Sequence, residues 1–409
     1  MSQVKTAILS IGCRATRLSP RPYSLLRIAY CLKMALVLIA GAIAGVPSAV
    51  QAQAPRSQTP ASIKGVVDNQ TIAKGLEHPW SLAFLPDKRM LVTERPGRLR
   101  LVDPDGRVSE PLAGVPQVYA SGQGGLLDVA LSPTFDKDRL VYLSFAESGE
   151  GGAGTAVARG RLGERGIENT QVIWRQQPKV GGSNHWGSRL VFRPDGTLFV
   201  TLGERFNHSD KAQDLSGTLG KIVRINPDGT APPDNPFVNR AGVRPEIWSY
   251  GHRNVQAAAL GPETGQLWTV EHGARGGDEL NHPEAGKNYG WPVISYGTHY
   301  SFLKIGEGTA KQGMEQPVYY WDPVIAPSGM VVYTGDLFAG WKSNFLIGSL
   351  TPGLLVRLVM KGGKVAQEER YLGDLRERIR DVRQAPDGSL YLLTDARNGQ
   401  ILRITPAAK

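Results

Sequence analysis

The residues best suited to chemistry in this chain are a histidine, a set of arginines and two amides, spread over separated segments. His185 stands in GGSNHWGSRLVFRPDGTLFVTLGE, residues 181–204, behind two glycines and beside Trp186. An imidazole titrates near neutral pH and can take a proton from a hydroxyl. Gln123 lies between glycines in SGQGGLLDVALSP, residues 121–133. His252, Arg253 and Asn254 sit together in IWSYGHRNVQA, residues 247–257, and ERIRDVR, residues 377–383, alternates Arg378 and Arg380 on one strand face. Guanidinium forks are preferred receptors for carboxylates and phosphates, so such a set would hold a small, flat polyanion.

A further segment, VEHGARGGDELNHPEAGKNYGWP at residues 270–292, offers oxygen rather than sulfur. Asp278, Glu279 and the carbonyls around Gly273, Gly276, Gly277 and Asn288-Tyr289-Gly290 suit a hard cation such as Ca²⁺. Glu279 could instead cap a turn. His272 and His282 are ten residues apart with no third His or Cys in a metal pattern, which argues against zinc.

These segments need a scaffold that brings them together. One phrase recurs along the chain: Pro with an acidic or Gly turn, then an apolar strand. It occurs as Leu85-Pro86-Asp87 before MLVTE, Ser132-Pro133 before LVYLS, and Pro194-Asp195-Gly196 before LFVTLGE. Gly261-Pro262-Glu263 before LWTVEHG and Pro386-Asp387-Gly388 before LYLLTD continue it, with a less regular copy at residues 328–350. Irregular repeats of several short strands indicate propeller blades, and helical periodicity is almost absent. With 49 Gly and 28 Pro and no collagen-like period, the composition agrees. The expected fold is all-β, a six-bladed β-propeller over residues 70–409, whose loops gather at one end of a central channel.

Residues 1–52 differ in kind. They carry Lys5, Arg14, Arg17, Arg21, Arg27 and Lys33, no acidic residue, and an apolar run from Met34 to Val46 followed by Val50-Gln51-Ala52. This reads as a cleaved secretory signal peptide, the apolar run being shorter than the ~20 residues that span a bilayer. Residues 53–69 read as a flexible polar tail. Removing the leader takes away most of the formal +10 charge, so the basic composition is no argument for nucleic acid or for a membrane surface. Cys13 and Cys31 leave with it, so the mature chain has neither disulfide nor thiol nucleophile. A periplasmic or secreted protein follows, without membrane insertion, as a monomer or homodimer.

Taken together, GQGGLLD, NHWGSRLVF, YGHRN, EHGARGGDELN with KNYGWP, and RIRDVR with APDGSLYLLTD resemble the soluble pyrroloquinoline-quinone (PQQ)-dependent sugar dehydrogenases, the glucose/sorbosone and aldose sugar dehydrogenase family. The likeness covers about residues 70 to 404 and implies a six-bladed propeller. It implies that His185 takes the proton of the sugar's anomeric hydroxyl while hydride passes to the quinone. It places Gln123, Arg253 and Asn254 at the quinone, with Arg378 and Arg380 on its far side. The carbonyls of Gly273 and Ala274 match a catalytic Ca²⁺ site, and Glu279 with the Tyr289 carbonyl a structural one. Tyr300 falls where some relatives line the pocket. Where relatives often carry a lysine beside the quinone, this chain has Thr351.

The resulting expectation is an exported quinoprotein with PQQ and Ca²⁺ that oxidises an aldose to its lactone and passes electrons to an external acceptor. A Ca²⁺-dependent propeller lactonase or hydrolase is an alternative, but it would want a channel lined by carboxylates and amides. A non-catalytic carbohydrate-binding propeller is another, with His185 incidental.

Overall fold

The repeated Pro-Asp phrase is a hairpin turn closed by its own aspartate. In a computed structural model describing residues 53–408, Asp87, Asp195 and Asp387 each accept, through Oδ1, the backbone N–H two residues on. The intervening Lys88, Gly196 and Gly388 have φ of 69°, 84° and 82°, which glycine supplies at no steric cost. The leader expected over residues 1–52 lies outside the described residues.

Each turn joins the first two strands of an antiparallel sheet, and there are six sheets. Blade 1 is Pro79–Phe84, Met90–Glu94 and Arg98–Val102. Blade 2 runs Leu126–Leu131, Leu140–Gly149, Gly152–Leu162 and Ile167–Arg175; blade 3 runs Gly187–Phe192, Leu198–Leu202, Lys221–Ile225 and Ile247–Tyr250. Blade 4 is Val255–Leu260, Leu267–Glu271, Asp278–Asn281 and Tyr319–Trp321, and blade 5 is Pro327–Val332, Phe345–Ser349, Leu354–Lys361 and Lys364–Tyr371. Blade 6 begins with Ile379–Gln384, Leu390–Thr394 and Gly399–Pro406. Its outermost strand, Val67–Leu76, comes from the other end of the described chain, and this pairing closes the ring. The first strands pack on one another around the axis. The expected six-bladed β-propeller is the fold observed.

Sequence alternation fails in the second strands because both of their faces are covered. Met90–Glu94, Leu198–Leu202 and Phe345–Ser349 are buried at every position. Leu91 and Leu99 of blade 1, for example, pack against Val141, Leu143 and Phe145 of blade 2. Comparable apolar clusters fill the other blade junctions, each such side chain contributing ~1.5–3 kcal/mol.

The N-terminal tail is not loose. The Ala54 N–H donates to Tyr296 Oη at 2.9 Å, the Ser57 N–H donates to the Tyr320 carbonyl at 2.8 Å, and Ser57 Oγ bonds Glu368. Ser62–Ile63 then adds a parallel strand beside Lys364–Tyr371. A polar composition there serves hydrogen bonds along the outer edges of blades 4 and 5, rather than disorder.

Every first strand is irregular near its beginning, with a register shift at Pro79/Ser81, Leu126/Val129, Gly187/Leu190, Val255/Ala257, Pro327/Met330 and Ile379/Asp381. Bulges re-aim side chains, and those of blades 2, 3 and 6 bring Asp128, Arg189 and Asp381 together. Arg189 Nη1 lies 3.0 Å from Asp128 and 3.2 Å from Asp381, and Arg383 lies 2.9 and 2.8 Å from the same two carboxylates. This closed set of four charges separates two cavities: Trp80, Leu127 and Arg380 face one, and Leu82, Val129 and Arg383 the other.

Candidate functional site

The cavity at the bulged strand starts has a volume of about 250 Å³. Trp80, Leu127 and Trp186 give it apolar walls, and the same three form an apolar cluster with Ala146 and Ala153. Its polar side consists of Arg95, Arg378, Arg380, Asp395, Gln123, Gln256 and His272.

His185 lies at the edge of this cavity, since Trp186 and Gly187 line it while His185 itself is 5% exposed. Its backbone N–H donates to Gln123 Oε1 at 2.8 Å, and its Nδ1 lies 3.1 Å from Glu204 Oε1. A carboxylate accepts, so Nδ1 carries the proton and the Nε2 lone pair is left free. Burial lowers the imidazole pKa; the Glu204 hydrogen bond opposes this, and the Arg253 charge adds to it. The ring is therefore neutral at neutral pH, the form that accepts a proton. Phe206 meets it edge-on at 5.1 Å.

On the opposite wall, Asp395 receives Arg380 Nη2 at 2.7 Å and His78 Nδ1 at 2.9 Å, with Arg378 Nη2 at 3.5 Å. Burial alone would raise this carboxyl, but the Arg380 charge and hydrogen bond, helped by His78 and Arg95, hold it below the ordinary range. Arg95 makes no side-chain hydrogen bond among the described residues; burial lowers its pKa, and only Asp395 offsets the like charges of Arg380 and Arg378. Three guanidinium groups against one committed carboxylate leave the wall net positive.

A polar belt links the blades across the cavity. Arg380 Nη1 donates to Gln256 Oε1, Gln256 Nε2 to Asn254 Oδ1, and Asn254 Nδ2 to His272 Nδ1, at 3.1, 3.2 and 3.5 Å. His272 Nε2 donates to the Pro327 carbonyl at 2.7 Å, and burial pushes its pKa down to about 3, so this ring stays neutral.

Of the residues expected around the quinone, Gln123, Arg378 and Arg380 line the cavity and Asn254 braces it. Arg253 is turned away. Its guanidinium meets the Gly273 and His272 carbonyls and lies 5.1 Å from the Trp291 ring. Thr351 is exposed, its Oγ1 3.4 Å from Arg378 Nη1. Tyr300 does not line the cavity. It is 62% exposed, at the tip of the long insertion 282–318 of blade 4, beside exposed Phe302 and Leu303.

A flat polycarboxylate such as PQQ fits this cavity by chemistry: apolar ring walls, an arginine side with net positive charge, and an unbonded fork at Arg95. A Ca²⁺ on the Gly273 and Ala274 carbonyls does not fit beside the Arg253 guanidinium, a cation already covering Gly273. The second cation place does fit. Glu271, Glu279, Tyr289 and Gly251 border a void of about 20 Å³, enough for one ion. Asn281 Nδ2 bridges the two carboxylates at 2.9 and 3.1 Å. Burial and then the Glu271 charge push Glu279 up to about 8. No group of three or more His, Cys, Asp or Glu side chains suited to a metal occurs among the described residues, so carbonyls would complete such a site.

Glu204 and Asp395 were not singled out by the sequence reading. The signal was present: the second strands of four blades end in or just before an acid, as MLVTE, LFVTLGE, LWTVE and LYLLTD. Glu94, Glu204, Glu271 and Asp395 are all buried at the side chain and each reaches a basic partner: Arg98, His185, His252 and Arg380.

Residues 76–403 match the model of the glucose/sorbosone dehydrogenase family. The chain belongs to that family. It is 47% identical over 346 residues to the aldose sugar dehydrogenase YliI of Escherichia coli K12, covering 83% of this chain and 93% of that one. A solved glucose dehydrogenase is 54% identical with a TM-score of 0.81, covering 82% of this chain and 99% of its own. A PQQ-bound aldose sugar dehydrogenase of Streptomyces coelicolor is 30% identical with a TM-score of 0.69, covering 84% of this chain and all of its own. As a glucose/sorbosone dehydrogenase family member, the protein is a sugar dehydrogenase, an oxidoreductase.

Proposed function

We propose that this protein is a periplasmic or secreted PQQ-dependent enzyme that oxidises an aldose at its anomeric carbon to the lactone, and that an external acceptor then takes the electrons. The observation that carries the reading is His185, held at Nδ1 by Glu204, at the edge of a cavity with an arginine wall. The PQQ-bound relative supports the choice of cofactor.

Bound PQQ would supply a two-electron acceptor for the hydride of the sugar carbon. His185 Nε2 takes the hydroxyl proton, and Glu204 stabilises the imidazolium that forms. Arg95, Arg378 and Arg380 hold carboxylates, while Trp80, Leu127 and Trp186 confine a planar ring and exclude water. Glu271, Glu279 and the Tyr289 carbonyl would hold one Ca²⁺ that fixes the 270–292 loop. A hydrolytic reading is disfavoured, because the one carboxylate in the cavity wall, Asp395, is bound to Arg380 and His78.

The test is dye reduction by purified protein loaded with PQQ and Ca²⁺ against a panel of aldoses. Turnover should depend on the quinone and fall to background in His185→Ala. Quinone-independent hydrolysis of lactones, or no dye reduction with any aldose, would overturn the reading.

A further inference from the structure

Arg205 is wholly buried yet pairs with no carboxylate among the described residues. Its guanidinium donates instead to three backbone carbonyls: Asn184 at 3.0 Å, Ala153 at 2.6 Å and Gly182 at 2.7 Å. It also lies 3.4 Å from the centre of the Trp186 ring. Two of these carbonyls precede His185 in the 181–186 loop, and the third belongs to the blade 2 hairpin. Burial pushes the arginine down to about 10, still far above neutral pH, so the charge persists.

The loop needs such a hold because it joins no strand ladder and opens with Gly181-Gly182. Its Ser183 carbonyl accepts from Gln123 N–H and Trp186 Nε1, and its Gly182 and Asn184 carbonyls accept from Arg205. Side chains rather than a sheet therefore set where the imidazole points. The backbone is strained on both sides of the contact: φ is 53° at His185, 66° at Arg205 and 69° at Phe206. Left-handed conformations of such residues persist only where surrounding contacts over-determine them. Glu204, Arg205 and Phe206 supply those contacts in turn, to Nδ1, to the loop backbone and to the ring edge.

We propose that Arg205 is a positioning residue for His185, its planar fork holding the 181–186 loop that sets the orientation of the imidazole. Lysine cannot substitute, because an ammonium lacks the planar fork and the flat face that lies on Trp186. The inference rests on His185 being the base. The charged or titratable groups acting on that ring are Glu204, Arg205, Arg253 and His272. Removing the Arg205 charge should favour the imidazolium.

The experiment compares wild type, Arg205→Lys and Arg205→Gln, each loaded with PQQ and Ca²⁺. Thermal midpoint, quinone affinity by fluorescence titration, KM for an aldose, and kcat across pH are measured. Both variants should keep quinone affinity and KM within about twofold while kcat falls at least tenfold. The acid limb of kcat should move to higher pH in Arg205→Gln and stay in place in Arg205→Lys. Unchanged kcat in both overturns the inference, as does a loss of kcat matched by equal loss of quinone affinity. If Arg205→Gln does not fold, Arg205→Lys decides through the same kcat-against-KM comparison. A wild type unable to oxidise aldoses, or full turnover in His185→Ala, overturns the base assignment and this inference with it. Normal His185→Ala loss with normal Arg205 variants overturns this inference alone.

Discussion

His185 Nδ1 lies 3.1 Å from Glu204 Oε1, and both side chains are almost wholly removed from solvent. The pair fixes the tautomer and so decides which nitrogen meets a substrate. Glu204→Gln keeps the shape but not the charge that stabilises the imidazolium. Turnover should fall roughly 10²-fold or more with quinone affinity unchanged. The Glu204 hydrogen bond raises the His185 pKa, so its loss should move the acid limb of kcat to lower pH, opposite to Arg205→Gln. A pH profile that shifts upward, or does not move, would break the assignment.

Arg95 makes no side-chain hydrogen bond among the described residues, in a cavity where Asp395 is already taken by Arg380 and His78. A charge-assisted hydrogen bond to a quinone carboxylate would be worth ~1.5–3 kcal/mol, about tenfold or more in affinity. Arg95→Gln should therefore weaken PQQ binding by that factor and flatten its dependence on salt. Fluorescence titrations at two ionic strengths check this; equal affinities would show that the fork points elsewhere.

Glu279 sits beside Glu271 with its pKa pushed up to about 8, against 4.5 in the unfolded chain. A group raised in the fold binds more protons there than in the unfolded chain, so metal-free protein should lose stability as pH rises from about 5 to 8. Added Ca²⁺ removes the need for that proton. The thermal midpoint should rise by several degrees at pH 8 and little at pH 5, and Glu279→Gln should abolish the Ca²⁺ effect. Midpoints indifferent to Ca²⁺ at both pH values would remove the ion from this place.

The propeller was legible because each blade repeats one local phrase, and Asp87, Asp195 and Asp387 close their turns identically. His185 and the Arg378/Arg380 pair were legible as residue types at strand starts. Their partners were not. Arg95 and Asp395 end up at one cavity through ring closure, which pairs Val67–Leu76 with Gly399–Pro406 and carries no signal in any single segment, whereas Glu204 and Asp395 show only in comparing the acids that end the second strands. Arg253 is a different case: its type suggested an anion site, and in the structure its guanidinium meets the neighbouring Gly273 carbonyl. Tyr300 lies at the tip of an insertion, where position in sequence says little about reach. The tail at 53–69 looked flexible by composition because hydrogen bonding to the outer edges of blades leaves no apolar pattern.

The four charges between the two cavities give the sharpest contrast in stability. Asp128 is buried, accepts from Arg189 at 3.0 Å and Arg383 at 2.9 Å, and also takes the Leu190 N–H at 2.7 Å. Asp128→Ala leaves two guanidinium groups sharing Asp381 and removes the carboxylate that accepts from the Leu190 and Val129 N–H groups and the Ser81 hydroxyl. Breaking a buried pair from one side costs about 3–5 kcal/mol. The thermal midpoint should fall by on the order of 10 °C. Asp336, 92% exposed and 3.5 Å from Lys342, offers the matched control, since solvent screens that pair and Asp336→Ala should leave the midpoint where it was. Scanning calorimetry of the two variants decides it: equal midpoints would mean that the blades close the channel without help from its charges.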